Sequence, residues 1–114
     1  MTDFQSLARA AEAEMRHVFA ETPLQKNEHL SAIFDADIWL KREDLSPVRS
    51  YKLRGAFNAM RKRPDQHSFV CASAGNHAQG VAYMCRHFDV TGTIFICLLY
   101  TSDAADEGLG VDLG

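Results

Sequence analysis

Between residues 38 and 96 the chain alternates short apolar runs with amphipathic stretches, and this alternation is its strongest constraint on fold. Phe69-Val70-Cys71-Ala72 and Thr93-Ile94-Phe95-Ile96 are apolar or β-branched at every position. Such runs suit strands covered on both faces, as in a parallel sheet, with little alternation along them. Ile38-Trp39-Leu40-Lys41 is a third short strand, of mixed burial. Two helical stretches lie between the runs. One spans residues 51–62 behind Ser50, a candidate cap, with Leu53, Ala56, Phe57 and Met60 on its buried face and Pro64-Asp65 as its breaker. The other runs from Asn76 to about His87. Strand, helix, strand, helix, strand predicts an α/β fold of βαβ crossovers onto a parallel sheet.

Ahead of this block, Phe4, Leu7, Ala8, Ala11, Met15, Val18 and Phe19 recur at helical steps and predict an amphipathic helix over 3–20, with Asp3 as its cap. Thr22-Pro23 ends it, because the residue before proline avoids the α region, and Leu24-Gln25 reads as extended. The 114 residues leave room for one small domain, and 46% hydrophobic residues suffice for a packed core. A net charge of −3 argues against nucleic-acid binding. The absence of an apolar run of about 18 residues argues against a membrane span. With no signal-peptide pattern and three scattered cysteines, the expected setting is reducing and cytoplasmic. His17, His29, His67, His77 and His87 show no paired ligand spacing, so no metal site is expected. Arg61-Lys62-Arg63 reads as a basic helix C-terminus offsetting the dipole. Trp39, Cys71 and Cys85 are expected in the core. Arg42, Glu43 and Asp44 are either solvated loop charges or a brace for the segment after them.

From Cys97 the character changes. The segment 97–114 has no clear period, no basic residue and four of the 15 acids, Asp103, Asp106, Glu107 and Asp112. The rest of the chain therefore carries 11 acids against 12 basic residues, a net of +1. Cys97 to Glu107 and Val111 to Gly114 resemble a translated transposon-end sequencing adapter. The expected organisation is a native N-terminal part over 1–96 followed by a non-native tail over 97–114, which is excluded from fold reasoning.

Two segments carry chemistry. In the first, Lys41 to Ala56, Lys52 falls in the first turn of a helix, where unpaired amides and the positive dipole end disfavour an ammonium. An ordinary lysine is protonated at neutral pH, and a nucleophilic one needs such a setting. On position alone a plain solvated surface lysine is the favoured reading. In the second, Ser73-Ala74-Gly75-Asn76-His77-Ala78-Gln79-Gly80, a strand turns into a helix, and the turn presents backbone amides as a ready anion site. An ordinary helix start capped by Ser73 or Asn76 reads the same residues as well.

Together, Lys-Arg-Glu-Asp-Leu at 41–45, Pro-Val-Arg-Ser-Tyr-Lys-Leu-Arg-Gly-Ala at 47–56 and Ala-Ser-Ala-Gly-Asn-His-Ala-Gln-Gly-Val-Ala at 72–82 resemble the threonine dehydratase family. That family is pyridoxal-phosphate dependent, of fold type II, the tryptophan synthase β-like group. The resemblance runs from about Thr22 to Phe95. It implies a truncated catalytic domain whose activity is α,β-elimination of L-threonine, with L-serine as a secondary substrate, to a 2-oxo acid and ammonia, in the biosynthetic branch that leads to isoleucine. A serine dehydratase or serine racemase-like relative, or a truncated product without function of its own, stands as the alternative. The resemblance implies that Lys52 forms the Schiff base with pyridoxal phosphate. Asn76 would bond the cofactor's 3′-oxygen, and Tyr51, where the family usually has Phe, would lie near the cofactor ring. Ser73, Ala74, Gly75, Asn76 and His77 would form the loop receiving the substrate carboxylate. It also implies a homo-oligomer, a cofactor-phosphate loop further along the chain than Gly108-Leu109-Gly110, and no turnover by these residues alone.

Overall fold

The computed structural model describes residues 3–97; the tail from 98 onward, with its glycines at 108 and 110, lies outside the described residues. The chain divides into two units, Met1–Arg49 and Ser50–Gly114.

The first unit opens with α1 (Phe4–Met15). The Asp3 carboxylate accepts from the Gln5 amide and from the Ser6 hydroxyl, each at 3.2 Å, which makes it the expected cap. The helix ends at Met15 rather than near Thr22. The His17 and Val18 amides reach back only three residues, to Glu14 and Met15, and this tightens the last turn and stops the helix. Much of its apolar stripe lies open: Phe4 and Leu7 are exposed, and Met15 is its buried residue.

β1 (Leu24–Lys26) confirms the extended stretch. It is followed by α2 (Glu28–Phe34), a helix the sequence reading did not contain. Asn27 caps it by accepting from the Leu30 amide at 2.8 Å, and Asp35 closes it in the left-handed region at φ 48°. β2 (Trp39–Lys41) then pairs antiparallel with β1, Leu24 opposite Lys41 and Lys26 opposite Trp39. The third predicted strand is therefore not part of the parallel sheet. The Asn27 amide bonds the Ile38 carbonyl at 2.9 Å, so α2 bridges the two ends of a ribbon instead of crossing over a sheet. Every residue of this ribbon is exposed, Trp39 included, against the expectation of a core tryptophan.

A short 3₁₀ turn, Glu43–Leu45, follows. Arg42 clasps Asp44 at 2.7 and 2.9 Å and reaches Gln25 at 2.8 Å, while Glu43 accepts from the Thr22 hydroxyl at 2.7 Å. The Lys41 amine donates to the Thr22 carbonyl. These charges tie the end of the ribbon to the Thr22–Gln25 segment. The hydrogen bond from Arg42 holds the Asp44 carboxyl below the usual carboxylate range.

The second unit is α3 (Lys52–Arg61), β3 (Ser68–Ala72), α4 (Asn76–Phe88) and β4 (Thr91–Phe95). β3 and β4 are parallel, Ser68 opposite Thr91 and Ala72 opposite Phe95, with α4 between them in sequence. This is the βαβ unit expected of an α/β fold. α4 packs against α3, β3 and β4. Leu53, Ala56, Phe57 and Met60 are buried, the face the helical period predicts. Facing positions Ala78, Val81, Met84 and Cys85 of α4 are buried too, and Phe57 and Phe88 stack at 5.9 Å. Cys71 and Cys85 lie in this core as expected. Arg63 donates to the Ala59 carbonyl at 2.9 Å, so the basic run does serve the helix C-terminus. β3 is more open than its sequence suggests, with Cys71 its buried residue. α4 packs on both strands of this two-stranded sheet, and Val70 of β3 is exposed. No helix among them is long and apolar enough to cross a membrane.

Candidate functional site

Lys52 is the first residue of α3. Ser50, buried, accepts from the Lys52 amide at 3.1 Å, so the candidate cap works one position before the observed cap residue, Tyr51. This fixes the backbone that carries the lysine. The side chain itself is uncommitted: among the described residues the Lys52 Nζ makes no ion pair and no side-chain hydrogen bond. Its contact is the Tyr51 ring, whose centroid lies 5.0 Å away, within cation–π reach.

Tyr51 and Lys52 line a cavity of about 340 Å³ together with Arg54, Gly55, Ala56 and His77. That volume sits at the lower end of the roughly 300–1,000 Å³ typical of small-molecule sites. The lining contains basic side chains and no acidic one, which suits an anionic ligand. The cavity thus joins the lysine of the first motif to the histidine of the second.

The rest of the second motif forms the entry to α4. Ser73 continues the sheet, its amide bonding the Phe95 carbonyl at 3.0 Å, and its hydroxyl accepts from the Gly75 amide at 3.3 Å. Gly75 stands at the cap position, and no side chain caps the helix. Neither Ser73 nor Asn76 serves as the cap, so the first-turn amides of α4 keep their donors for something else. Ala74, Gly75, Asn76 and His77 are exposed, and a methyl added at Gly75 would meet nothing within 4 Å. Open space therefore faces the loop. Ser73, Ala74, Gly75 and Asn76 do not line the cavity beside Lys52; His77 does. No group of three or more metal-ligand side chains is present among the described residues.

These residues fit pyridoxal phosphate: a free amine for a covalent link, an aromatic ring beside it, an uncapped helix start for an anion, and a basic-lined cavity. Two residues escaped the sequence reading. Arg54 enters the cavity lining, and its signal was its place two residues after Lys52. Gly80 is buried against the Lys52–Leu53 peptide, and its signal was its position as the glycine closing the second motif.

A family model described as pyridoxal-phosphate dependent enzyme matches residues 15–104. The biosynthetic L-threonine dehydratase IlvA of Bacillus subtilis is 48% identical over 89 residues, covering 75% of this chain and 21% of that protein. The protein of the same name in Mycobacterium leprae is 54% identical over 82 residues, covering 69% and 19%. Among solved structures, the processed form of threonine deaminase isoform 2 from Solanum lycopersicum superposes with a TM-score of 0.68 at 33% identity, covering 83% of this chain and 28% of that one. The chain spans about a fifth of the length of the curated relatives it matches.

Proposed function

Because the chain belongs to the pyridoxal-phosphate dependent enzymes, we propose that it is the N-terminal piece of a threonine dehydratase in which Lys52 holds the cofactor. The observation that carries this reading is the uncommitted Lys52 amine, opening on a cavity it shares with His77. The names of the relatives support L-threonine as substrate; L-serine as a secondary substrate and a place at the first step of isoleucine biosynthesis belong to the proposal. Residues 1–96 are the proposed catalytic part and 97–114 a non-native tail. Free thiols at Cys71 and Cys85 fit a cytoplasmic setting, and the whole enzyme is proposed to be a homo-oligomer.

Bound here, pyridoxal phosphate supplies a conjugated ring that takes up the electron pair left at the substrate Cα. Lys52 Nζ would hold the cofactor covalently and, once free of it, would accept the substrate Cα proton as general base. Asn76 would hold the cofactor through its side-chain amide, and Tyr51 would lie beside it. Ser73, Ala74, Gly75, Asn76 and His77 receive the substrate carboxylate at the uncapped start of α4. That grip fixes the Cα–H bond where Lys52 reaches it. In balance, threonine loses its β-hydroxyl and Cα hydrogen as one water and takes one water back when its C=N bond is hydrolysed. The products are 2-oxobutanoate and ammonia.

Borohydride treatment of the full-length enzyme followed by peptide mapping should label Lys52. Lys52→Ala should lose both the covalent cofactor and ammonia release, and unchanged turnover in that variant would remove the assigned role.

A further inference from the structure

Gly80 lies in the second turn of α4 and is buried. A methyl built on it would sit 3.2 Å from the Lys52 carbonyl carbon, the Lys52 carbonyl oxygen and the Leu53 nitrogen. All three atoms belong to one peptide group, the one that leaves Lys52 and enters α3. A flexible side chain would swing aside from such a contact, but a peptide group in the first turn of a helix moves only if the helix moves. Leu53, next to it, is completely buried, which leaves that turn little slack. The same helix α4 begins at the loop proposed to take the substrate carboxylate. One close approach therefore sets how far the lysine stands from that loop.

We propose that Gly80 is a positioning residue for Lys52: its missing side chain lets α4 seat the Lys52–Leu53 peptide, and so registers the amine against the Ser73–His77 loop. The proposal rests on the Lys52 reading above. With any side chain at 80 the peptide shifts by a few tenths of an ångström. A proton transfer that needs its partners aligned then slows, while substrate binding changes little.

The test uses the full-length, cofactor-loaded enzyme with Gly80→Ala and the bulkier Gly80→Ser. Gly92→Ala is the packing control, since its methyl would press on the Cys85 sulfur at 3.0 Å, away from Lys52. The expected result is about a tenfold fall in kcat for Gly80→Ala with KM within about twofold, and a further fall for Gly80→Ser. The absorbance band of the Lys52-bound cofactor should shift in both. Gly92→Ala should lower the thermal midpoint and leave kcat and the band alone. A Gly80→Ala enzyme with parental kcat and band overturns the proposal. So does a pair of Gly80 variants that fail to fold where Gly92→Ala folds, because the glycine then serves the fold alone. Failure of the Lys52 assignment shows separately, as an unlabelled Lys52 after borohydride treatment of the parent.

Discussion

Burial pushes the thiols of Cys71 and Cys85 up from the ordinary range, and for Cys85 the neighbouring Cys71 adds to the push. A raised thiol holds its proton at neutral pH, so the reactive thiolate stays scarce until the pH climbs past the usual thiol value. Cys97, by contrast, is exposed. An alkylating reagent at pH 7 should therefore modify Cys97 well before the other two, and the gap should narrow as the pH is raised. Mass spectrometry of the labelled chain reads this directly, and equal rates at neutral pH would show that the β3–α4 core opens readily. Residue-level candidacy was legible at Lys52 and at Asn76, because long motifs surround them, and the structure brings Lys52 but not Asn76 into the cavity lining. It was not legible at Gly80, because a glycine closing a motif does not say which backbone it touches.

At the scale of elements, α3 and α4 hold the second unit together. Leu53 and Met84 are its fully buried large side chains, one from each helix. Leu53→Ala should destabilise this unit by about 2–5 kcal/mol, the range for deleting a core leucine. Amide exchange should speed up across α3 and α4 while the capped helix α2 keeps its protection; uniform loss in both units would mean the two open as one. The buried face of α3 was readable in advance at Leu53, Ala56, Phe57 and Met60, since a helix repeats within four residues and carries its own period. α2 was missed although Asn27 and Asp35 bracket it. Its stretch has no apolar residue buried in this chain, so the periodic signal that marks a packed helix was weak.

For the whole molecule, open surfaces decide the behaviour of the chain in isolation. Val70 on β3, with Phe95 and Ile96 at the end of β4, is largely exposed, as are Phe4 and Leu7 on α1. Apolar surface of this kind calls for partners. The purified 114-residue chain should release no ammonia from L-threonine, and a colorimetric ammonia assay checks this against the full-length enzyme. Sustained turnover by the chain alone would reverse the view of it as a piece. The buried face of α3, the strand–helix–strand order of β3, α4 and β4, and the turn at Ser73–Gly75 were legible in the order of the residues, because each is carried by a run a few positions long; that no side chain caps α4 was not, since a capped start read the same residues as well. Where β2 pairs, whether Trp39 is covered, and which side chains share the cavity with Lys52 were settled only by tertiary structure. Strand partnership and cavity lining depend on residues distant in sequence, and no local preference chooses among the pairings open to a short apolar strand.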